Sequence, residues 1–277
     1  MARGLILAAP SSGSGKTSLT FGLLAALRAR GAVAQGFKTG PDYIDPQFHS
    51  IAAGRPCPNL DPWAMRPETI LTTLQQGSDG ADLCLIEGVM WLFDGVPEPV
   101  GTADRTGKTD IAGATSTAGI GGNASTAALA KNLDLPVVLI VDAKGQSQSV
   151  AALVRGFADF DPGLRLAGVI LNRVGSDRHW ALLSEALSTH VPQVPVLGAV
   201  PRLPWLEWPG RHLGLTLPGE LPDMPAQADR LAQLLPGWVD LDALQRAAGP
   251  LPDRAQPTDA LPASPLPASP LPANALP

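Results

Sequence analysis

Short apolar runs recur along the chain with little polar alternation inside them, and amphipathic stretches separate them. Runs of this kind are typical of strands buried on both faces of a parallel sheet, with helices covering those faces. The predicted fold class is therefore α/β. The predicted strands are residues 5–9, 33–37, 83–86, 137–141, 166–171 and 196–200, and the predicted helices are residues 16–30, 125–132, 147–157, 177–190, 226–235 and 241–247.

Two segments depart from this alternation. Residues 97–123 are rich in Gly, Thr and Ala without periodicity, so we predict an insertion loop at about 97–124. From residue 249 onward the chain is Pro-rich and repeats Leu-Pro-Ala-Ser-Pro, a composition that favours linker-like conformations over a core. The predicted organisation is one domain over 1–248 and a disordered tail over 249–277.

Residues 10–17, Pro-Ser-Ser-Gly-Ser-Gly-Lys-Thr, follow the first predicted strand and open the first predicted helix. Gly13 and Gly15 let backbone N–H groups surround phosphate oxygens, and the helix N-terminus directs positive partial charge at the same anion. Lys16 is expected to reach the β- and γ-phosphates, and the Thr17 hydroxyl to ligate Mg²⁺. Proline replaces the first glycine of the strict pattern, but the strand–loop–helix context predicts a P-loop NTPase-like sheet that binds ATP and Mg²⁺. The predicted nucleotide-binding residues are Ser12, Gly13, Ser14, Gly15, Lys16 and Thr17.

Two later strand ends are expected at the same edge of the sheet, where such folds bind their ligands. Glu87 follows the run 83–86 and is expected to hold Mg²⁺ directly or through water. Asn172 follows the run 166–171, and its amide is expected to pair with the adenine edge; the alternative is a plain turn residue.

The segment 37–49, Phe-Lys-Thr-Gly-Pro-Asp-Tyr-Ile-Asp-Pro-Gln-Phe-His, follows the second predicted strand. It contains one Lys, two Asp, one Tyr and one His beside the phosphate loop. A solvated turn built from Gly-Pro and Asp-Pro is the alternative. The mixture of chemical types favours a substrate-binding segment.

Composition narrows the classes of function. The chain has 277 residues, 45% of them hydrophobic and 16% charged, and a net charge of -5, so a basic nucleic-acid footprint is absent. The first residues do not resemble a signal peptide, and no run approaches the length of a membrane span. The two cysteines, Cys57 and Cys84, are too few for a disulfide framework, which favours a reduced, cytoplasmic protein.

These motifs together resemble the cobyrinic acid a,c-diamide synthase family, a relative of dethiobiotin synthetase and cobyric acid synthase. The resemblance rests on residues 9–17, 37–46, 59–63, 86–90, 172–174 and 211–215, in family order. It implies ATP-dependent amidation of the a and c acetates of a corrin ring, cobyrinate or hydrogenobyrinate, in cobalamin biosynthesis, with Mg²⁺ and with ammonia from glutamine.

The resemblance also implies roles for single residues. Lys16 and Lys38 would contact the transferred phosphate, Thr17 and Glu87 would serve Mg²⁺, and Asp45 would lie near the reacting centre. Asp42 and Tyr43 would shape the substrate site. Arg211 and His212 fall at a further family motif. Basic residues after the last two predicted strands are candidates for binding corrinoid carboxylates, with plain surface charge as the alternative for each: Arg173, Arg178, His179, Arg202, Arg211 and His212.

The sequence departs from the family in two places. The family's short connection after Asp94-Gly95 is replaced by the long segment that precedes Ser125. The family's glutaminase domain is not recognised, and neither Cys57, between two prolines, nor Cys84, inside a strand, has the setting of a glutaminase nucleophile. We therefore expect ammonia from a separate glutaminase domain or chain, and we consider a homodimer possible.

The expected chemistry is transfer of the γ-phosphoryl group to a carboxylate, followed by attack of ammonia on the acyl phosphate. In this scheme Lys16 and Lys38 offset phosphate charge, and Asp45 orients ammonia or holds water or metal. The alternatives are another P-loop ligase such as dethiobiotin synthetase, a switch ATPase that works by dimerisation, and a non-catalytic remnant of a synthase. Switch ATPases carry an early loop lysine where this chain has Ser11.

Overall fold

The computed structural model describes residues 2–96, 122, 124–206, 218–221 and 223–253. Its centre is an eight-stranded sheet. The strands are β1 (Arg3–Ala8), β2 (Ala34–Thr39), β3 (Asn59–Leu60), β4 (Leu83–Glu87), β5 (Val137–Asp142), β6 (Leu166–Val174), β7 (Val196–Pro201) and β8 (Gly249–Pro250). The order is β3-β2-β4-β1-β5-β6-β7 with every pairing parallel, and β8 adds antiparallel to β1.

Helices cover both faces of this sheet, as predicted. Leu5 and Leu7 of β1 belong to one apolar core, while Ile6 and Ala8 belong to the other, because successive strand residues point to opposite faces. The helices are α1 (Lys16–Ala29), α2 (Asp45–Ala53), α3 (Pro67–Gly77), α4 (Thr126–Asn132), α5 (Ser149–Phe160), α6 (Asp177–His190), α7 (Met224–Leu234) and α8 (Leu241–Ala247). Residues of α1, α2, α7 and α8 line the first core, and residues of α3, α4, α5 and α6 line the second.

The boundary predicted for the Pro-rich tail is wrong by a few residues. Gly249 and Pro250 pair with Gly4 and Arg3 of β1, and the Arg3 side chain donates to the Ala248 carbonyl. Leu251 packs against the second core. Proline-rich composition does not reveal this pairing, because the antiparallel contact depends on a strand at the other end of the chain. The repeats at 261–275 and the insertion at 97–121 lie outside the described residues.

The sequence contains no run as long as a membrane span, and the helices of the structure can be compared with that expectation. Within the described ranges, no helix combines the length and the apolar character that a membrane crossing requires.

Candidate active site

The phosphate loop connects β1 to α1 in a strand–loop–helix arrangement, as predicted. Gly13 and Gly15 have φ angles of 75° and 91°, in the left-handed region that favours glycine. At Gly15 a Cβ atom would lie 2.2 Å from Nδ2 of Asn172. The backbone conformation and the neighbouring amide therefore both require glycine at this position.

Lys16 is half-buried at the first turn of α1, and its ammonium group donates to the Met90 carbonyl at 2.6 Å. Met90 follows β4 and has a positive φ of 45°. Thr126 also holds the segment that follows β4, because its hydroxyl donates to the Val89 carbonyl at 3.0 Å. Burial lowers the pKa of Lys16 against the opposing influence of Glu87. Phosphate oxygens are anionic partners suited to this partly desolvated lysine.

Lys38 lies at the centre of a buried charge cluster. It is in β2, and Glu87 of β4 is its partner in the sheet register. Lys38 Nζ is 2.7 Å from Asp45 Oδ2, 2.9 Å from Glu87 Oε1 and 3.7 Å from Asp42 Oδ2. Lys38, Asp45 and Glu87 are all buried. Parallel pairing of β2 with β4 and the start of α2 at Asp45 together form this cluster.

Thr17 joins the phosphate loop to the charge cluster. Its hydroxyl oxygen lies 2.8 Å from Glu87 Oε1 and 3.2 Å from Asp45 Oδ2. The structure thus brings together Thr17, Lys38, Asp45 and Glu87, which sequence reasoning selected from three separate segments. Their roles toward ATP, Mg²⁺ and substrate stay predictions.

The charges in this cluster stabilise one another. Burial alone would raise the pKa of Glu87, but the charge of Lys38 and the hydrogen bond with His49 outweigh it and hold that pKa well below its ordinary value. Burial alone would lower the pKa of Lys38, but Glu87 and Asp45 raise it above its ordinary value. Glu87 and Lys38 therefore both carry their charges at neutral pH.

His49 belongs to this site and was not singled out from the sequence. It is fully buried in α2, and its Nε2 lies 2.5 Å from Glu87 Oε2. Its Nδ1 atom has no hydrogen-bond partner in the described part of the protein. The signal that could have found it is the spacing Asp45 to His49, which places both residues on one face of a helix, but α2 was not predicted.

Asp42 and Tyr43 are adjacent in sequence, but their side chains lie in different surroundings. Asp42 Oδ1 accepts hydrogen bonds from the backbone N–H groups of Ile44 and Asp45, at 2.8 and 3.0 Å. These bonds and the charge of Lys38 lower the pKa of Asp42 against its partial burial. Tyr43 is 80% exposed, so its ring is free to meet a ligand outside the buried cluster. Both remain predicted substrate contacts.

The cluster also satisfies the charge requirement of a Mg²⁺ site. Thr17, Asp45 and Glu87 supply the oxygen ligands that this cation prefers, and three carboxylates face the two lysines Lys16 and Lys38. No group of three His, Cys, Asp or Glu side chains in the described ranges forms a cage able to hold a metal by itself. Mg²⁺ at nucleotide sites is usually completed by phosphates and water, so the residues fit this mode of binding.

Asn172 contacts the phosphate loop itself. Its Nδ2 donates to the Ser14 carbonyl at 2.9 Å, so the amide group expected at adenine is engaged by protein in this structure. Its role at the adenine edge stays a prediction.

The basic residues proposed for corrinoid carboxylates do not form one cluster. The Arg173 guanidinium contacts Gly13 and Asp142, and His179 Nε2 lies 2.8 Å from the Gln146 carbonyl. Arg178 and Arg202 are exposed, and Arg211 and His212 lie outside the described residues. The structure therefore shows protein partners for Arg173 and His179 instead of a ready carboxylate site.

The two cysteines are buried, free thiols. Burial raises the pKa of Cys57 far above its ordinary value and that of Cys84 to about 12, so both stay protonated and unreactive.

Comparison with known proteins identifies relatives of this chain. Over 250 residues, covering 90% of this chain and 52% of the relative, the protein is 46% identical to Hydrogenobyrinate a,c-diamide synthase of Mesorhizobium japonicum. A protein of the same name from Brucella anthropi is 47% identical over 244 residues, with 88% and 50% covered. The chain thus spans about half the length of the curated relatives it matches.

A solved structure also resembles the chain at a distance. HypB from Helicobacter pylori in complex with nickel is 11% identical, with 90% of each chain covered and a TM-score of 0.45. The family assignment rests instead on residues 5–215, which match CbiA: CobQ/CobB/MinD/ParA nucleotide binding domain. This match covers most of β1, all of β2 to β7, the phosphate loop and the Lys38 cluster, and the chain belongs to the CobQ/CobB/MinD/ParA nucleotide-binding domain family.

Proposed function

We propose that this chain is the ATP-dependent amidating part of a hydrogenobyrinate a,c-diamide synthase. The observation that carries the proposal is the meeting of Thr17, from the phosphate loop, with Asp45, from the segment predicted to bind substrate. A site for phosphoryl transfer needs the nucleotide phosphates and the accepting group at one place. The names of the relatives support hydrogenobyrinate as the substrate and its a and c carboxylates as the groups that become amides.

Carboxylates need activation because an oxide is a poor leaving group. In the proposed reaction a carboxylate oxygen attacks the γ-phosphorus of ATP, the bond to ADP breaks, and an acyl phosphate forms. Ammonia then attacks the acyl carbon, the bond to phosphate breaks, and the proton that the nitrogen loses ends on inorganic phosphate as the amide is released. We propose that ammonia comes from glutamine through a glutaminase domain or chain.

The residues of the chain act mainly by placement and charge. Lys16 changes its Met90 partner for phosphate oxygens. Thr17, Glu87 and Asp45 would hold Mg²⁺, which offsets the charge of the phosphates. Lys38 donates to both Asp45 and Glu87 and so aims their carboxylates at the same point. Tyr43, exposed beside the cluster, contacts the corrinoid. A cytoplasmic location and a homodimer stay predictions.

The test uses the purified chain with hydrogenobyrinate, ATP, MgCl₂ and ammonium chloride, so that a glutaminase is not needed. ADP release and the amide products are followed together, the latter by mass spectrometry. We expect amide formation that requires ATP, and a loss on the order of 100-fold or more in Lys16→Ala. Arg155→Ala, which removes an exposed charge on α5, is the matched control and should behave as the wild type.

Other outcomes separate the competing functions. ATP hydrolysis that proceeds equally without corrinoid, and yields no amide, would favour a switch ATPase and contradict the proposal. ATP binding without either turnover or amide in the presence of ammonium would favour a non-catalytic remnant. Full activity of Lys16→Ala would remove the phosphate loop from the mechanism.

A further inference from the structure

Two consecutive residues at the carboxyl end of β6 hold two consecutive carbonyl groups of the phosphate loop. Asn172 Nδ2 donates to the Ser14 carbonyl at 2.9 Å, and Arg173 Nη1 donates to the Gly13 carbonyl at 2.7 Å. These contacts lie outside the roles considered above, in which Asn172 reads adenine and Arg173 binds a corrinoid carboxylate.

The planar trans peptide gives these contacts a consequence for phosphate binding. In such a unit the carbonyl of one residue and the N–H of the next point in opposite directions. The described part of the chain has no cis peptide bonds. Fixing the carbonyls of Gly13 and Ser14 toward β6 therefore turns the N–H groups of Ser14 and Gly15 away from β6. Backbone N–H groups of this loop are the donors that surround phosphate oxygens.

The pair of residues is itself held in one arrangement. The backbone N–H of Arg173 donates to Asn172 Oδ1 at 3.0 Å, which directs Nδ2 of the same amide at the loop. Arg173 Nη1 also contacts Asp142 Oδ2 at 2.5 Å, which anchors the guanidinium to the end of β5. Arg173 has a φ of 59°, a left-handed conformation that non-glycine residues seldom adopt.

Side-chain packing also restricts the phosphate loop. Asn172 fills the space beside Gly15, where any Cβ atom would meet its Nδ2. A strained backbone that positions a polar side chain against a glycine loop is typical of sites where geometry is fixed before the ligand arrives.

We propose that Asn172 and Arg173 form a clamp that presets the phosphate loop for polyphosphate, independently of the base. The clamp rests on the proposed nucleotide binding, and it deepens that function by naming the residues that aim the backbone donors. Without the clamp, the backbone N–H groups of the loop can point in other directions. Ordering the loop then opposes binding and lowers the affinity for polyphosphate. The effect falls on affinity and spares turnover at saturating nucleotide.

The test compares ATP with inorganic tripolyphosphate, which has the phosphates without the base. Arg173→Gly is the main variant, because glycine accepts the positive φ and only the side chain is lost. Affinities are measured by calorimetry with Mg²⁺ present, and kcat and KM for ATP are measured with corrinoid and ammonium. We expect Arg173→Gly and Asn172→Ala to weaken both ligands by a similar factor of about tenfold, with kcat within about twofold of wild type.

The control is Arg155→Ala, which removes an exposed positive charge from α5. It should leave both affinities within about twofold of wild type, because a general attraction between charges is not the proposed effect. Thermal unfolding of each variant checks that the fold is retained.

The outcomes are distinct. Weaker ATP binding with unchanged tripolyphosphate binding in both variants would assign these residues to the base and overturn the clamp. A lower kcat with unchanged affinities would overturn it as well. If the wild-type chain bound neither ligand, the nucleotide-binding proposal itself would fail, whereas equal binding by wild type and variants would defeat only the clamp.

Discussion

At the scale of single residues, the arrangement around Glu87 distinguishes groups that would touch ligands from groups that position them. Glu87 Oε1 faces Thr17 and Lys38, while Oε2 faces His49. A carboxylate held on one oxygen by a buried partner keeps its other oxygen oriented, and such outer partners tune metal sites. His49 is therefore a positioning residue for the proposed Mg²⁺ ligand.

Replacing His49 should weaken metal use more than it weakens the fold. We predict that His49→Phe, which keeps a ring but loses the bond to Glu87, raises the Mg²⁺ concentration for half-maximal ADP release by about 10–100-fold. His49→Gln retains a donor near the Nε2 position and should recover part of this loss. The same order should appear in Mg²⁺-dependent binding of ATP. Equal Mg²⁺ dependence in all three proteins would show that His49 serves packing alone.

The sequence predicted the site residues that a motif or a strand end identifies. It missed His49, whose position depends on the helix α2. Glu87 ends an apolar strand, and Lys16 and Thr17 follow the loop that leaves a neighbouring strand, so parallel pairing with the phosphate-loop motif predicts their approach. His49 reaches Glu87 only because residues 45–53 form a helix. The contact of Asn172 with Ser14 depends on side-chain direction at a strand end, which an apolar pattern does not encode.

At the scale of elements, the segment 37–49 is two elements joined by a turn. β2 ends at Thr39, Gly40 has a φ of 84°, and α2 begins at Asp45. The carboxylate of Asp42 accepts from the N–H of Ile44, just before α2, and from the N–H of Asp45, the first residue of α2, so it caps the turn that leads into the helix. Capping sets the start of α2, and the start of α2 sets the position of the Asp45 carboxylate beside Lys38.

The cap gives a prediction that separates the hydrogen bonds of Asp42 from its charge. Asp42→Ala should reduce the free energy of unfolding by about 1 kcal/mol, the usual cost of a lost cap. Asp42→Asn retains an acceptor oxygen and should lose little stability. Urea denaturation of both variants measures the difference. Equal losses would mean that the 3.7 Å ion pair with Lys38, not the cap, is the stabilising interaction.

The pattern of apolar residues predicts most helices and strands, and the elements that it does not predict are short or mostly exposed. The predicted strand centres agree with the structure because buried strands are continuous apolar runs, and six of the eight α-helices in the described ranges were predicted. α3 was missed since only Ile70 and Leu74 of its residues are buried, which leaves a weak apolar stripe. β3 and β8 are two residues long and exist only through their partners.

At the scale of the whole molecule, the charge cluster couples folding to pH. Lys38 of β2 and Glu87 of β4 are neighbours in the sheet register and form a buried ion pair, so their ionisation is part of the folded state. The pKa of Glu87 is below its ordinary value of 4.5, and that of Lys38 is above its ordinary value of 10.5. A lowered carboxyl pKa contributes stability above 4.5 that is lost as pH falls toward the folded value. A raised lysine pKa contributes stability below 10.5 that is lost as pH rises through the folded value.

We therefore predict a plateau in the stability that the Glu87 charge contributes. The free energy of unfolding of wild type minus that of Glu87→Gln should be constant near neutral pH and should shrink on the acid side of 4.5. The comparison uses chemical denaturation across pH, without nucleotide. Asp161→Asn is the control for acid effects elsewhere, because Lys131 and the Gly163 N–H lower the pKa of Asp161 against its burial, away from the site. A Glu87 difference that grew on acidification would mean that burial outweighs Lys38, and the cluster would then hold a protonated carboxyl unsuited to Mg²⁺.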